Sequence, residues 1–597
     1  MNAATDTYLL LRAFVDELAR CGMRAACTSP GSRCAPLILT LAREQRLRCF
    51  SHVDERCSAF FALGLAKASG LPVAVTCTSG TAAAELLPAA IEAQQARVPL
   101  LLLTADRPPE LRETGAGQTI DQLKLFGDAA KWFVEVGVYD ATPEHLRWMR
   151  TLACRAYWKT LEGRPGVVHL NFPLREPLVC EEELPVDKSA RHEGSPYVRR
   201  APGRPTEGEA MVSLYELAAA SARGVVVAGR DERTGRQPLG PTDPRSLGEA
   251  AAAFAAAAGW PVLADPLSGA RRGGAAVAHY DSLLRDEAFA ESVQPDLVIR
   301  VGDLPTSKPL RAWLAGLEGA RQVALDAEGS WQDPAAVLSD SLALDPATAL
   351  SELATVPPVA EDDWLAAWRS ADERAAAAIL GALGDGGLSE PAVAAELGVL
   401  LPDVATLFVA SSMPVRDIET FWPIRPDPPR VLCNRGAAGI DGIVSSAFGA
   451  AADGLGPVVL LIGDVALAHD IGGLLAARRL ALKLTIVLLD NGGGGIFDFL
   501  PVSRARMALA DDAYTRHIAT PTGLDFAKAA ALYRLAHERA GDLSELRAAL
   551  ERALAREGSS IVEVKTDRQA NVDLHERVWE AVSKALSPPA EGATPRA

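Results

Sequence analysis

The sequence predicts an α/β protein built as three consecutive doubly wound parallel-sheet domains. Short apolar runs alternate with amphipathic helical patterns along almost the whole chain, the signature of repeated strand–helix–strand units. Polar or proline-rich passages interrupt that alternation twice and read as linkers. A third observation is a tight βαβ unit, in which the run Val458 to Ile462 leads through a helix around Asp470 to Leu480 into Thr485 to Leu489 and a glycine-rich turn.

The first domain, residues 1–180, has strands expected at Arg24 to Thr28, Leu47 to His52, Val73 to Cys77, Leu100 to Thr104 and Gly166 to Asn171. Residues 181–206 read as a linker. The central α/β domain, 207–330, carries strands at Gly224 to Ala228, Pro261 to Ala264, Asp296 to Val301 and Gln322 to Asp326. An alanine-, proline- and acid-rich passage, 331–385, reads as the second linker. In the third domain, 386–586, strands fall at Thr406 to Ala410, Arg430 to Cys433, Val458 to Ile462, Thr485 to Leu489 and Ser560 to Val564. Residues 587–597 are expected to form a disordered tail.

With 49% hydrophobic and 23% charged residues in a chain of 597, each domain can bury its own core in the manner of a soluble globular protein. The net charge of −16 argues against a nucleic-acid partner or an anionic membrane surface. No apolar run is long enough to span a membrane. The nine cysteines form neither a Cys-x-x-Cys pair nor a cluster with histidine, which suggests reduced thiols and a cytoplasmic location. The opening MNAATDTYLLLRAFVDELAR reads as an acidic amphipathic helix and not as a signal peptide.

Asp464 and Asn491 close the two strands of the βαβ unit, at the sheet edge where ligands collect. Alone, such an Asp is a helix cap and such a glycine run a loop. Together, a carboxylate and an amide oxygen suit a hard cation such as Mg²⁺, and Gly492 to Gly495 let the backbone approach a diphosphate. The unit resembles the diphosphate-binding motif of thiamine diphosphate enzymes, which begins Gly-Asp, here Gly463-Asp464, and closes on an Asn, here 27 residues further on. Val465 stands where many of those families have Gly, and Asp490 where a second Asn is common.

That resemblance implies three domains in series, with thiamine diphosphate and Mg²⁺, or Mn²⁺ in its place, in the third. The metal would be held by Asp464, Asn491 and the carbonyl of Gly493, and Ile440, Ile496 and Phe497 would wall the cofactor against water. Thiamine chemistry also needs a carboxyl group on the aminopyrimidine ring. Glu55 follows the strand ending at His52 and opens a small-residue helix, a position that helix-dipole placement alone would explain. In this context, ahead of the Thr78-Ser79-Gly80-Thr81 turn, it resembles the superfamily's activating glutamate. There the first domain of one subunit faces the third domain of its partner. The resemblance therefore implies a homodimer with sites at the subunit interface, alone or paired into a tetramer.

The turn Thr28 to Arg33 offers hydroxyls, backbone N–H groups and a guanidinium, an anion receptor in outline. Further arginines stand at strand-end loops, where each alone could be a surface salt bridge. Taken together, SPGSR, ADRPPELR with GQTIDQ, SSMPVRD and NRGAAGIDG resemble the 2-succinyl-5-enolpyruvyl-6-hydroxy-3-cyclohexene-1-carboxylate (SEPHCHC) synthase family, MenD, through the first and third domains. The middle domain matches more weakly. There VGDLPTSKPLRAW offers Lys308, with Pro309 where some members carry a second basic residue.

The family resemblance implies a transferase that decarboxylates 2-oxoglutarate and adds the succinyl carbanion to isochorismate, giving SEPHCHC and CO₂ in menaquinone biosynthesis. Both substrates are dicarboxylates, so Ser32, Arg33, Arg107, Lys308, Ser412, Arg416 and Arg435 fall to carboxylate recognition, and Gln118 to a polar contact near the reacting carbon. The chain has no adjacent histidine pair of the kind that commonly protonates the carbanion in aldehyde-releasing relatives. An acetolactate synthase-like carboligase and a non-catalytic nucleotide-binding regulator stand as alternatives. A dinucleotide oxidoreductase is disfavoured because no G-x-G-x-x-G opens a helix after a strand.

Overall fold

Three parallel sheets of six strands each follow one another along the chain. The computed structural model describes residues 3–191, 194–198, 208–231, 246–384, 387–504 and 512–587. The expected tail from 588 onward lies outside the described residues, as do 199–206 of the first expected linker.

The first sheet comprises β1 (Ala25–Thr28), β2 (Arg48–Ser51), β3 (Val73–Cys77), β4 (Leu100–Asp106), β5 (Trp132–Glu135) and β6 (Val167–Pro173), ordered β2-β1-β3-β4-β6-β5. The second comprises β7 (Gly224–Ala228), β8 (Val262–Ala264), β9 (Ala276–Val277), β10 (Leu297–Val301), β11 (Arg321–Leu325) and β12 (Asp340–Leu342), ordered β12-β11-β10-β7-β8-β9. In the third, β13 (Thr406–Val409), β14 (Arg430–Leu432), β15 (Val458–Gly463), β16 (Thr485–Asp490), β17 (Ala536–Ala540) and β18 (Ser560–Lys565) run in the order β14-β13-β15-β16-β18-β17.

All the strands expected from the sequence are present, within a residue or two at their ends. The strands not expected, β5, β9, β12 and β17, each lie at a sheet edge. Inner strands such as β3, β4 and β6 are buried along their whole length and show as largely apolar runs. Edge strands need no such run, and β17 reads AHERA.

The passage 331–385, expected to be a linker, is structured. It holds β12 and the helices Pro346–Leu353 and Trp364–Leu383. Trp368, Ala371 and Ala375 bury themselves in the central domain's core, and Trp364 Nε1 donates to Gly224 O at 2.9 Å. The alanine content that resembled a linker is what favours helix here. In the first expected linker, Asp187 is tied to Arg150 at 2.5 Å.

Within one chain the first and third domains meet through the helices Glu55–Ser69 and Ile443–Asp453. Their approach requires glycine: a Cβ on Gly64 would lie 1.9 Å from the Ser446 carbonyl oxygen, and one on Gly449 would lie 2.0 Å from that of Phe61. Ser446 Oγ closes the contact by donating to Phe60 O at 3.0 Å.

Candidate active site

A cavity of about 420 Å³ opens at the carboxyl edge of the third sheet. Gly463 and Asp464 reach it from β15, and Asn491 from β16. These strands pair in parallel with Gly463 opposite Leu489, which sets the two polar side chains side by side. The sequence placed the connecting helix around Asp470 to Leu480. Instead it starts at Asp464 itself, as Asp464–His469, and breaks at Asp470 into the 3₁₀ turn Ile471–Leu474 and the short helix Leu475–Arg479. Glycines 472 and 473 account for the break.

Asp464 is buried and accepts from the backbone N–H groups of Val465 and Gly493. Its Oδ2 has no hydrogen-bond partner among the described residues. Asn491 Nδ2 donates to Glu390 Oε1 at 2.8 Å, while its Oδ1 likewise has none among them. Two orphaned oxygens from neighbouring strand ends, in one cavity, suit a hard cation. Gly493 completes the loop with φ of 142°, where a Cβ would meet Ala519 O at 2.6 Å. Its carbonyl accepts from Gly495 N–H at 2.9 Å and keeps a lone pair for a further partner. Ile440, Ile496 and Phe497 also line the cavity.

Burial, with Asp490 adding to it, pushes the Asp464 carboxyl up to about 6. Burial and the nearby Asp417 push Glu390 up to about 7, against the opposing hydrogen bonds from Asn491 and Thr566. Both carboxyls are thus pushed above the ordinary carboxylate range, which a nearby cation would reverse.

The same cavity is rimmed by Ser412, Arg416 and Arg435. Ser412 adopts φ of 77° ahead of the helix Met413–Phe421, a strained backbone for a non-glycine residue. Arg416 Nη1 donates to Ser412 O at 2.5 Å. Burial, followed by repulsion from Arg435, lowers the Arg416 pKa, so an anion placed between them would be welcomed. An adjoining cavity of about 360 Å³ shares Met413, Arg416 and Ile496 with the first and is lined by Lys308, the first residue of the helix Lys308–Gly316.

The remaining expected residues gather in the first domain, and none of them lines the third-sheet cavity. Glu55 is half-buried at the first position of its helix, capped by Asp54, whose side chain accepts from Cys57 N at 2.9 Å. Burial raises its pKa, its own N–H opposes, and Asp54 and Glu85 add to the rise. Arg107 donates to Ser79 Oγ, which donates to the backbone carbonyl of Gln118 at 2.8 Å. Gln118 itself is exposed, with φ of 55°. Arg33 is buried, donating to Leu174 O at 2.8 Å and pairing with Glu176 at 3.1 Å. Beside it Ser32 is exposed. Burial first, then the charge of Arg33, lowers the Arg107 pKa, which puts both guanidiniums in one electrostatic neighbourhood.

Sequence reasoning missed Glu390 and the pair His575–Asp417, 3.1 Å apart. Burial works against charge on His575, but the Asp417 carboxylate outweighs it and raises the pKa. Asp417 was visible beside Arg416, whereas its partner lies 158 residues away. Glu390 had only a weak signal, an acid opening the largely apolar helix Glu390–Leu400.

Three doubly wound sheets, with a cation-ready pair of oxygens beside a glycine loop on the third, define a thiamine diphosphate enzyme. Family models agree along the chain: the N-terminal thiamine pyrophosphate-binding domain matches residues 10–125, the middle domain 195–409, and the C-terminal thiamine pyrophosphate-binding domain 415–564. A solved structure described as a thiamin diphosphate-dependent enzyme from Mycobacterium smegmatis shares the fold, with a TM-score of 0.65 at 19% identity over 94% of this chain and 99% of its own. The SEPHCHC synthase of Geobacillus kaustophilus is 43% identical, covering 96% of this chain and 98% of its own length. That of Halobacterium salinarum is 41% identical over 98% and 99%. The chain belongs to the SEPHCHC synthase family.

Proposed function

We propose that the protein decarboxylates 2-oxoglutarate and joins the resulting succinyl unit to isochorismate, forming SEPHCHC and CO₂ in menaquinone biosynthesis. The observation that carries this reading is the juxtaposition of Asp464 Oδ2 and Asn491 Oδ1, both unpartnered among the described residues, with Arg416 and Arg435 on one cavity wall. When bound, thiamine diphosphate supplies the electron sink for the pair left by departing CO₂.

The chain's own groups do the rest. Asp464, Asn491 and the Gly493 carbonyl would hold Mg²⁺, or Mn²⁺, and the glycine loop would admit the diphosphate. Ile440, Ile496 and Phe497 keep water from the reacting face. Glu55, half-buried at its helix start, would hydrogen-bond the aminopyrimidine ring and pass a proton to and from it. Arg416, Arg435, Ser412 and Lys308 receive substrate carboxylates from the third-sheet side, and Ser32, Arg33 and Arg107 from the first-domain side, with Gln118 beside the reacting carbon. Glu55 and its neighbours do not line their own chain's cavity, which supports a homodimer whose sites each combine two chains, alone or within a tetramer. The nine free cysteines suit a reducing cytoplasm.

The test is product formation by purified enzyme with thiamine diphosphate and Mg²⁺. SEPHCHC formed from 2-oxoglutarate and isochorismate supports the reading. Preference for pyruvate would replace it with an acetolactate-type carboligase.

A further inference from the structure

Asn491 poses a problem of orientation. Its carboxamide has two nearly isosteric settings, and only one presents oxygen to a cation. What chooses between them is the group behind it. Nδ2 donates to Glu390 Oε1 at 2.8 Å, and Thr566 Oγ1 donates to the same oxygen at 3.0 Å. Oε1 accepts both of these bonds, so turning the amide over would set Oδ1 against Oε1 and present N–H groups to the metal. Both contacts would be of like sign.

Glu390 is itself held firmly. It is 1% exposed and occupies the first position of the helix Glu390–Leu400, where the Ser389 side chain accepts from Ala392 N. Thr566 immediately follows β18, the strand next to β16. Asn491 is thereby braced by a helix start and a neighbouring strand end. An acidic side chain so deeply buried, with two neutral donors on one of its oxygens, is costly to keep unless it serves something. Asn491 Oδ1 and Asp464 Oδ2, both unpartnered among the described residues, show what is served.

We propose that Glu390 is a positioning residue of the metal site, holding the Asn491 carboxamide in the orientation that turns its oxygen toward the cation. This rests on Asp464 and Asn491 being the metal's ligands. Glu390 acts through orientation, not through its charge. A glutamine keeps an acceptor oxygen for Asn491 Nδ2, and an alanine does not.

The experiment is Mn²⁺ binding, followed by electron paramagnetic resonance of the free ion, to the full-length protein with thiamine diphosphate present. Wild type, Glu390→Gln, Glu390→Ala and Asp464→Asn are compared, with thermal melts of each. Glu390→Ala is expected to weaken Mn²⁺ binding about 10- to 100-fold, the usual cost of losing a ligand's outer partner, while Glu390→Gln stays within about threefold of wild type. If Glu390→Ala does not fold, Thr566→Val supplies the readout and shifts affinity in the same direction by less. A melting change in Glu390→Ala without an affinity change would make the role merely structural and overturn the proposal. Equal losses in the Gln and Ala variants would overturn it too, by assigning the effect to charge. If Asp464→Asn binds Mn²⁺ as wild type does, the metal assignment itself fails.

Discussion

Asp464→Asn exchanges a buried carboxylate for its neutral isostere. In the metal-free protein, burial and Asp490 push this carboxyl from its ordinary 3.8 up to about 6. At about 1.4 kcal/mol per pH unit, ionising it costs the fold about 3 kcal/mol. The folded chain holds this proton more tightly than the unfolded chain, so the cost is absent below 3.8, develops as pH rises, and is complete above about 6. Asparagine escapes it but weakens the hydrogen bonds from Val465 and Gly493, returning about 1 kcal/mol.

The variant should therefore be the more stable form at pH 8 without metal, by about 2 kcal/mol, and a domain of this size converts each kcal/mol into about 2–4 °C of melting temperature. At pH 4 the advantage should vanish. Adding Mg²⁺ and thiamine diphosphate at 100 times their dissociation constants should stabilise wild type by about 2.7 kcal/mol and the variant hardly at all, inverting the order. Calorimetric scans at both pH values, with and without ligands, measure this. A variant less stable than wild type at pH 8 without metal, or one stabilised equally by the ligands, would refute the reasoning.

Glu55→Gln should keep cofactor binding yet slow proton exchange at the thiazolium carbon by about 10²- to 10⁴-fold, read by deuterium exchange and magnetic resonance. Unchanged exchange would release Glu55 from that role. Mixing Glu55→Gln and Asp464→Asn chains, each inactive alone, should restore about a quarter of wild-type activity, because half the dimers are mixed and each has one intact site. No recovery after subunit exchange would place the whole site within one chain. Arg416→Ala should raise KM for at least one dicarboxylate about 30-fold, the worth of a lost charged hydrogen bond; normal kinetics with both substrates would exclude that contact.

What could be read in advance follows a physical division. Inner strands such as β4 and β16 are buried on both faces and declare themselves as apolar runs, and Asp464 and Asn491 sit at fixed offsets from two of them. Edge strands such as β12 and β17 share their burial with loops and helices and leave no run to see. The helix Trp364–Leu383 hid behind an alanine-rich composition that fits a linker as well as a helix. Ser79 was visible as a turn residue, but its link from Arg107 to Gln118 depends on a fold that brings together positions 39 residues apart. Glu390 lies 101 residues from Asn491, and nothing local marks a carboxylate that works through a distant amide.

The most direct measurement is CO₂ release from 2-oxoglutarate with thiamine diphosphate and Mg²⁺, with and without isochorismate. Sustained release that depends on isochorismate, matched by SEPHCHC, is the predicted result. No release under either condition, from folded protein that binds the cofactor, would contradict it.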